Sequence, residues 1–386
     1  MDYELTLEQR EMRDLARRIA EEKIKPVAAE YDERQEFPWP IVKTLAQTDM
    51  FRTFIPAEYD GLGGGIFDLA VVTEELSRGC GGIALALAGT ALGAYPIILF
   101  GTEEQKKKHL PQVASGEKLC GFALTEPEAG SDAGGQRTTA KKVDGGYILN
   151  GTKQWITNGG EAKIYTVIAV TNRSRGTRGI SAFIVEEGAE GFNYGKKEDK
   201  MGIRASSTRE LSFTDCFVPE ENLLGREGLG FAVAMRTLDR TRPGVAAQAL
   251  GIAQAAFELA ADYSRERVQF GKTISSFQAI QFMLADMATE IEAARALVYQ
   301  TARNIDSGYK NISKISAMCK LYASDVAMRV TTDAVQVMGG YGYMKDYPAE
   351  KLMRDAKITQ IYEGTNQIQR LVIATNLIKE RAMAAD

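Results

Sequence analysis

Apolar residues recur at helical spacing over the first third of the chain, gather in short β-prone runs over the middle, and return to helical spacing over the last third. Thr6 with Gln9 makes a capping box, and Met12, Leu15, Ala16 and Ile19 follow on one face. Residues 7 to about 25 are therefore expected to form an amphipathic helix. Pro26 starts a second helical piece, Phe37-Pro-Trp-Pro40 interrupts the pattern, and a further helix runs to about Met50. Helices resume over 69–78, 81–101 and 102–115, so residues 1–118 read as a helical domain. The segment 81–101 carries no charge and is long enough to span a bilayer. Its glycines, Pro96 and many alanines make it only weakly hydrophobic, so a helix buried inside the protein is expected and no membrane span is assigned.

The period changes near Leu119. Asp144-Gly145-Gly146 and Asn150-Gly151 both carry hairpin chemistry. β-rich runs follow at 165–170, 181–185, 210–213 and 216–218 with no helix between them, which implies an antiparallel sheet or barrel over 119–228. From about Leu229 helical spacing returns. Ser275 and Gln278 suggest another capping box. Ile280, Met283, Leu284, Met287 and Ile291 then trace one face of a long helix to about Ile305. A second runs over 313–338 and stops at Gly339-Gly340. Long helices joined by short turns make a bundle over 229–386. The expected fold class is α+β multidomain: helices, then strands, then a helical bundle.

Near the end of the chain Glu363 stands between the apolar run 358–362 and Gly364, and Asn366 with Gln369 looks like a new helix start. A carboxylate on such a break can be aimed into a cleft and partly desolvated, which makes it a better base. On spacing alone the plainer reading, a surface glutamate at a helix end, is favoured.

Composition narrows the field. The net charge of −4 over 386 residues argues against a nucleic-acid or anionic-membrane partner, which would normally demand a basic face. Cys80, Cys120, Cys216 and Cys319 are scattered without a CxxC, which suggests a reducing compartment and no zinc site. The single histidine, His109, excludes a two-histidine metal site within the chain. A Ser-His-Asp triad would have to use it, and its Lys-rich segment reads as solvated. No metal is expected. The glycine-rich loop 59–65 lacks GxGxxG spacing and is no dinucleotide fingerprint. The acidic N-terminus shows no targeting segment, so a cytoplasmic or otherwise soluble intracellular protein is expected.

Several motifs occur together: Leu124-Thr-Glu-Pro-Glu-Ala-Gly-Ser-Asp132, Asn150-Gly-Thr-Lys-Gln-Trp-Ile-Thr-Asn158, Arg267-Val-Gln-Phe-Gly271 with Phe277-Gln278, Gln336-Val-Met-Gly-Gly340 and Ile361-Tyr-Glu-Gly-Thr365. In this order and at these intervals the chain resembles the acyl-CoA dehydrogenase family over essentially its whole length. The resemblance implies an N-terminal helical domain, a middle β domain and a C-terminal four-helix bundle. It implies FAD, an acyl-CoA substrate, an electron-transfer flavoprotein as acceptor, and a homotetramer built as a dimer of dimers.

The resemblance also implies roles. Phe122, Leu124 and Thr125 match one strand beside the flavin, and Trp155 and Thr157 the segment on its other side. From the residues alone Trp155 reads rather as a core tryptophan of the β domain. Arg267, Phe270 and Gln278 match positions holding the pyrophosphate and adenosine half, partly across a dimer interface. Gln336, Val337, Gly339 and Gly340 match a loop approaching the dinucleotide of the neighbouring subunit, and Thr365 and Gln367 the end of the cofactor motif. Ser131, Leu238, Asp239, Arg242 and Gly364 match the thioester and CoA side. Read alone, the charged cluster 238–243 is a solvated face.

The implied reaction is α,β-dehydrogenation, with Glu363 as the catalytic base for the α-proton and hydride transfer to flavin N5. A branch of the family places the base where this chain has Thr241, which cannot serve. The glutaryl-specific branch has an arginine where this chain has Ala84, so a dicarboxylic substrate is not expected. Ala84, Ala86, Ala88 and Thr90 are small and suit a roomy apolar pocket. The expected substrate is short-chain and butyryl-like. The alternatives are a medium-chain, branched or cyclic acyl group, an enoyl-CoA reductase, or a non-catalytic flavin-binding relative.

Overall fold

The computed structural model describes residues 3–383. The Thr6–Gln9 capping box is present and starts α1 (Leu7–Ile19). That helix stops short of the expected length. A π turn spans Ala20–Ile24, and Pro26, with no N–H to donate, sits in the 3₁₀ turn beyond it. Then come α2 (Ala28–Arg34), α3 (Trp39–Gln47), α4 (Ile66–Gly79), α5 (Gly81–Phe100) and α6 (Glu103–Ala114). Of α5, only Ala88, Leu92 and its last three residues escape full burial, because α4, α7 and the first strand enclose it. Its length and composition match a membrane span, as do those of α7 (Gly230–Glu266), but 72% and 67% of their most apolar windows are buried inside the protein.

The middle segment forms one eight-stranded sheet from β1 (Cys120–Ala123), β2 (Thr139–Val143), β3 (Gly146–Thr157), β4 (Ile164–Val170), β5 (Ile180–Glu186), β6 (Phe192–Lys197), β7 (Thr208–Pro219) and β8 (Leu223–Leu224). The spatial order is β6-β7-β3-β2-β4-β5-β8, with β1 beside β4. It is antiparallel except where β1 and β2 meet β4 in parallel. Asp144-Gly145 makes the expected two-residue hairpin turn between β2 and β3. Asn150-Gly151 does not turn. It lies inside β3, where the register with β7 shifts between Leu149 and Gly151. The two runs expected at 210–213 and 216–218 are one strand, β7.

The C-terminal bundle is built on α7, α8 (Gln278–Asp306), α9 (Ile312–Met338), α11 (Ala349–Thr359) and α12 (Asn366–Met383), with the short α10 (Gly340–Tyr343) between α9 and α11. Helix α7 packs against α4, α5, α8 and α9, so it joins the N-terminal helices to the bundle. Gly251 permits this: a Cβ there would lie 2.1 Å from the Glu74 carbonyl oxygen of α4. The expected Ser275–Gln278 box is absent. Phe277 precedes α8, and Gln281 reaches back to the Ser275 carbonyl instead. The expectation for His109 is also overturned. It is fully buried on the inner face of α6, and desolvation lowers its pKa to about 4. Helical periodicity turns it inward from its lysine neighbours.

Candidate active site

Three parts of the chain meet at one cavity of about 380 Å³: α5, the β1 and β3 ends, and the junction of α7 with the turn before α12. Leu85, Ala88, Gly89, Ala91 and Leu92 form the α5 wall. Of the four small residues singled out in the sequence, only Ala88 lines the space. Ala84 and Ala86 are buried elsewhere, and the Thr90 hydroxyl donates to the Ala86 carbonyl and accepts from Asn158.

Phe122, Leu124 and Thr125 enter the cavity from β1 and the chain just after it, and Trp155, Ile156 and Thr157 from the end of β3. Three consecutive strand residues normally alternate between faces. Here the register with β7 shifts between Lys153 and Ile156, and Trp155 has φ 59°. The bulge cancels the alternation and turns the whole segment to the cavity. Trp155 is 56% exposed, so it is no core tryptophan.

The loop after Thr125 brings Gly130, Ser131 and Asp132 to the rim. Its base is held by groups that carried no assigned role in the sequence. The Glu126 carboxylate accepts from Lys153 Nζ at 2.7 Å and from the Arg137 and Thr138 N–H groups at 2.6 and 3.1 Å. Lys153 also donates to the Leu124 carbonyl and to Gln136. Burial raises the pKa of Glu126, but the Lys153 charge and these donors outweigh it, and the net shift is down.

Glu363 lies opposite. It and Gly364 have φ 52° and 90°, two successive left-handed residues between α11 and α12. Glycine adopts this freely, whereas a glutamate is strained by roughly 1–2 kcal/mol. Buried donors hold the turn. Arg242 Nε and Gln369 Nε2 reach the Glu363 carbonyl at 3.2 and 3.1 Å, and Gln369 and Lys320 Nζ reach the Gly364 carbonyl at 2.8 and 2.9 Å. The Glu363 N–H donates to no backbone carbonyl among the described residues. Helix α12 is capped by Thr365, whose hydroxyl accepts from the Ile368 N–H. Asn366, the expected cap, is buried instead against Ser324 and Asp325.

The Glu363 carboxylate accepts from the Thr241 hydroxyl at 2.7 Å. It opens on the cavity and so keeps some accessible surface, yet protein walls it off from bulk water. That desolvation raises its pKa to about 7, against the opposing pull of the Thr241 hydrogen bond and the charges of Arg242 and Lys320. Such a group exchanges a proton readily at neutral pH.

The remaining expected residues divide. Leu238, Arg242 and Gly364 line the cavity. Asp239 does not; it pairs with Arg242 at 2.9 Å, so the cluster read as a solvated face is largely buried. Thr365 and Gln367 lie just beyond the turn. Arg267, Phe270, Gln278, Gln336, Val337, Gly339 and Gly340 are all absent from the cavity. Arg267, Val337, Gly339 and Gly340 line a shallow surface depression, and Phe270 is 93% exposed. The motifs contained Glu126 and Lys153 without marking them. Lys320 gave no signal, since a buried lysine in a helical pattern is indistinguishable from a surface one until the fold is known, and Gln369 reads in the sequence only as a helix-start partner of Asn366. Among the described residues no group of three or more His, Cys, Asp or Glu could hold a metal ion.

Residues 6–117, 121–216 and 228–378 match the family models for the acyl-CoA dehydrogenase N-terminal, middle and C-terminal domains. The chain belongs to the acyl-CoA dehydrogenase family. It is 50% identical to a short-chain-specific acyl-CoA dehydrogenase of Clostridium acetobutylicum over 98% of this chain and 100% of that one. The structure of butyryl-CoA dehydrogenase from Megasphaera elsdenii superposes with a TM-score of 0.95 at 50% identity, covering 98% of this chain and 100% of that one. A chain described under the electron transferring flavoprotein of Acidaminococcus fermentans gives a TM-score of 0.95 at 52% identity, covering 98% and 99%.

Proposed function

We propose that this enzyme dehydrogenates a short-chain, butyryl-like acyl-CoA thioester to the trans-2-enoyl-CoA, with FAD as cofactor and Glu363 as the base. The observation that carries the reading is Glu363 itself: a carboxylate with pKa about 7, aimed into a cavity whose far wall is the Phe122–Thr125 and Trp155–Thr157 pair.

The residues fit a flavin. Trp155 presents an aromatic face that a core would bury, Phe122 and Leu124 add apolar surface, and the Thr125 and Thr157 hydroxyls can meet ring heteroatoms. When bound, FAD supplies the acceptor for the β-hydride. The chain does the rest. Glu363 takes the α-proton on a carboxylate oxygen, while Thr241 fixes that carboxylate through Oε2. The Glu363 N–H, with no backbone acceptor among the described residues, is available to the thioester oxygen as enolate charge develops. One such donor is worth about 3 kcal/mol in comparable sites. The α5 wall excludes water and offers only apolar surface to the acyl chain. No arginine stands there for a distal carboxylate.

The surface group of Arg267, Phe270, Gln278 and Gln336–Gly340 supports the same reading. Exposed aromatics beside a glycine turn suit a dinucleotide shared with a second subunit, in a dimer-of-dimers tetramer. An electron-transfer flavoprotein is the proposed acceptor and the cytoplasm the proposed compartment.

Anaerobic mixing of the FAD-loaded protein with a series of saturated acyl-CoAs tests the proposal. Fastest bleaching of the flavin band by butyryl-CoA is expected. Faster bleaching by octanoyl-CoA or a branched thioester would move the substrate assignment. No bleaching by any thioester, with FAD bound, would remove the activity.

A further inference from the structure

Lys320 is a buried cation directly beneath the catalytic turn, and neither the motifs nor the reaction as described accounts for it. Its side chain is fully buried on α9. Nζ donates to the Gly364 carbonyl and to Asn366 Oδ1, both at 2.9 Å. Both acceptors are neutral, so among the described residues no carboxylate bonds directly to the ammonium. A hydrocarbon side chain there would avoid the desolvation cost, which is substantial for an uncompensated charge.

The groups around it define what its charge acts on. From the turn comes Glu363, whose ionised form attracts it. From α7 comes Arg242, which repels it and is itself held by Asp239. On its own helix Asp325 attracts it. That carboxylate is already engaged by Asn366, Gln360 and Arg370. Cys319, also on α9, is buried with its thiol pKa pushed up to about 12, and so stays neutral. Two cations, Lys320 and Arg242, thus flank the Glu363 carboxylate, which opens on the cavity.

We propose that Lys320 is a positioning residue for the proton-transfer step. Through Gly364 it locks the left-handed turn that aims Glu363, and through its charge it keeps Glu363 ionisable at neutral pH. Burial lowers the lysine's own pKa to about 7, close to that of Glu363. The two therefore titrate as a coupled pair, and the ionised carboxylate and the ammonium stabilise each other. Removing the cation leaves desolvation less opposed, so the Glu363 carboxyl holds its proton to higher pH. The inference rests on Glu363 being the base.

The test isolates proton abstraction from hydride transfer. The probe is 3-thiabutyryl-CoA, which has α-hydrogens but sulfur at the β-position and so no hydride to give. Its α-hydrogen exchange into D2O is followed by NMR across pH 5.5–9 with the FAD-loaded wild type, Lys320→Met and Lys320→Gln. Wild type is expected to show an acidic limb near the Glu363 pKa. Lys320→Met moves that limb up by about one unit, the usual scale for loss of a nearby opposite charge. Lys320→Gln, which can still donate to Gly364 but carries no charge, shows a similar shift with a smaller loss of plateau rate. Unshifted limbs in both variants, with FAD retained, would overturn the proposal, even if their plateau rates fell. Should Lys320→Met fail to bind FAD, Lys320→Gln alone decides by the same limb. No exchange by wild type would instead strike the proposed reaction itself.

Discussion

Glu363 lines the cavity and Glu126 anchors the loop at its rim, and these two carboxylates have opposite fates. Glu126 is held by a lysine at 2.7 Å and two backbone N–H groups, and its pKa falls. Glu363 takes one hydrogen bond, from a threonine, and its pKa rises to about 7. Both are desolvated, so burial alone does not make a base. What separates them is the number of donors that meet the charged form. Glu126 is a strut that fixes the Gly130–Asp132 loop, while Glu363 keeps its charge available. The chain spends its other buried donors near Glu363 on the backbone carbonyls of the turn, which fixes aim without satisfying the carboxylate.

The largest effect should come from removing the proposed base. Glu363→Gln is expected to retain FAD and thioester binding and to lose flavin reduction by roughly 10²–10⁴-fold, the usual share of a general base. Stopped-flow reduction under anaerobic conditions checks it.

Breaking the strut should act on stability. Lys153→Met leaves Glu126 as an uncompensated buried charge and is expected to cost about 3–5 kcal/mol. In Lys153→Met/Glu126→Leu the stranded charge is gone, so chemical denaturation should show part of that loss recovered.

His109 sharpens the comparison, because it is desolvated and, among the described residues, finds no hydrogen-bond partner for either ring nitrogen. Its folded pKa of about 4 lies below the unfolded value near 6.5. The unfolded chain therefore binds the extra proton between those values, and stability falls as pH drops through that window. His109→Leu should flatten this acid slope, by up to about 3 kcal/mol at pH 4. Melting curves from pH 7 to pH 4 read it directly.

The smallest effect belongs to Thr241. Thr241→Val removes the hydrogen bond to the charged carboxylate and should raise the Glu363 pKa by about one unit, at least as much as loss of the Lys320 charge. The pH profile of flavin reduction would move by that amount with little change in its plateau.

The order of helices, strands and bundle followed from periodicity because burial of one face imposes it. A glycine beside a carboxylate marks a backbone break at Glu363, but spacing alone favours a surface glutamate, and the resemblance of the surrounding motifs is what singles it out. Boundaries failed where a local device intervened: the π turn after Ile19, the bulge at Asn150-Gly151, and the cap shifted from Asn366 to Thr365. The charges were harder. His109, Asp239, Lys153 and Lys320 all look like surface residues in the chain. Only the packing of α6 and of α7 on α9, and the bulge in β3, turns them inward. The Trp155 segment reads as a strand core until the bulge exposes it.

The most direct test of the account is the pH dependence of anaerobic flavin reduction by butyryl-CoA in the wild-type enzyme. The account predicts an acidic limb with an apparent pKa near 7, absent in Glu363→Gln along with the reduction itself. A limb at the ordinary carboxylate value near 4.5, or undiminished reduction in Glu363→Gln, would contradict it.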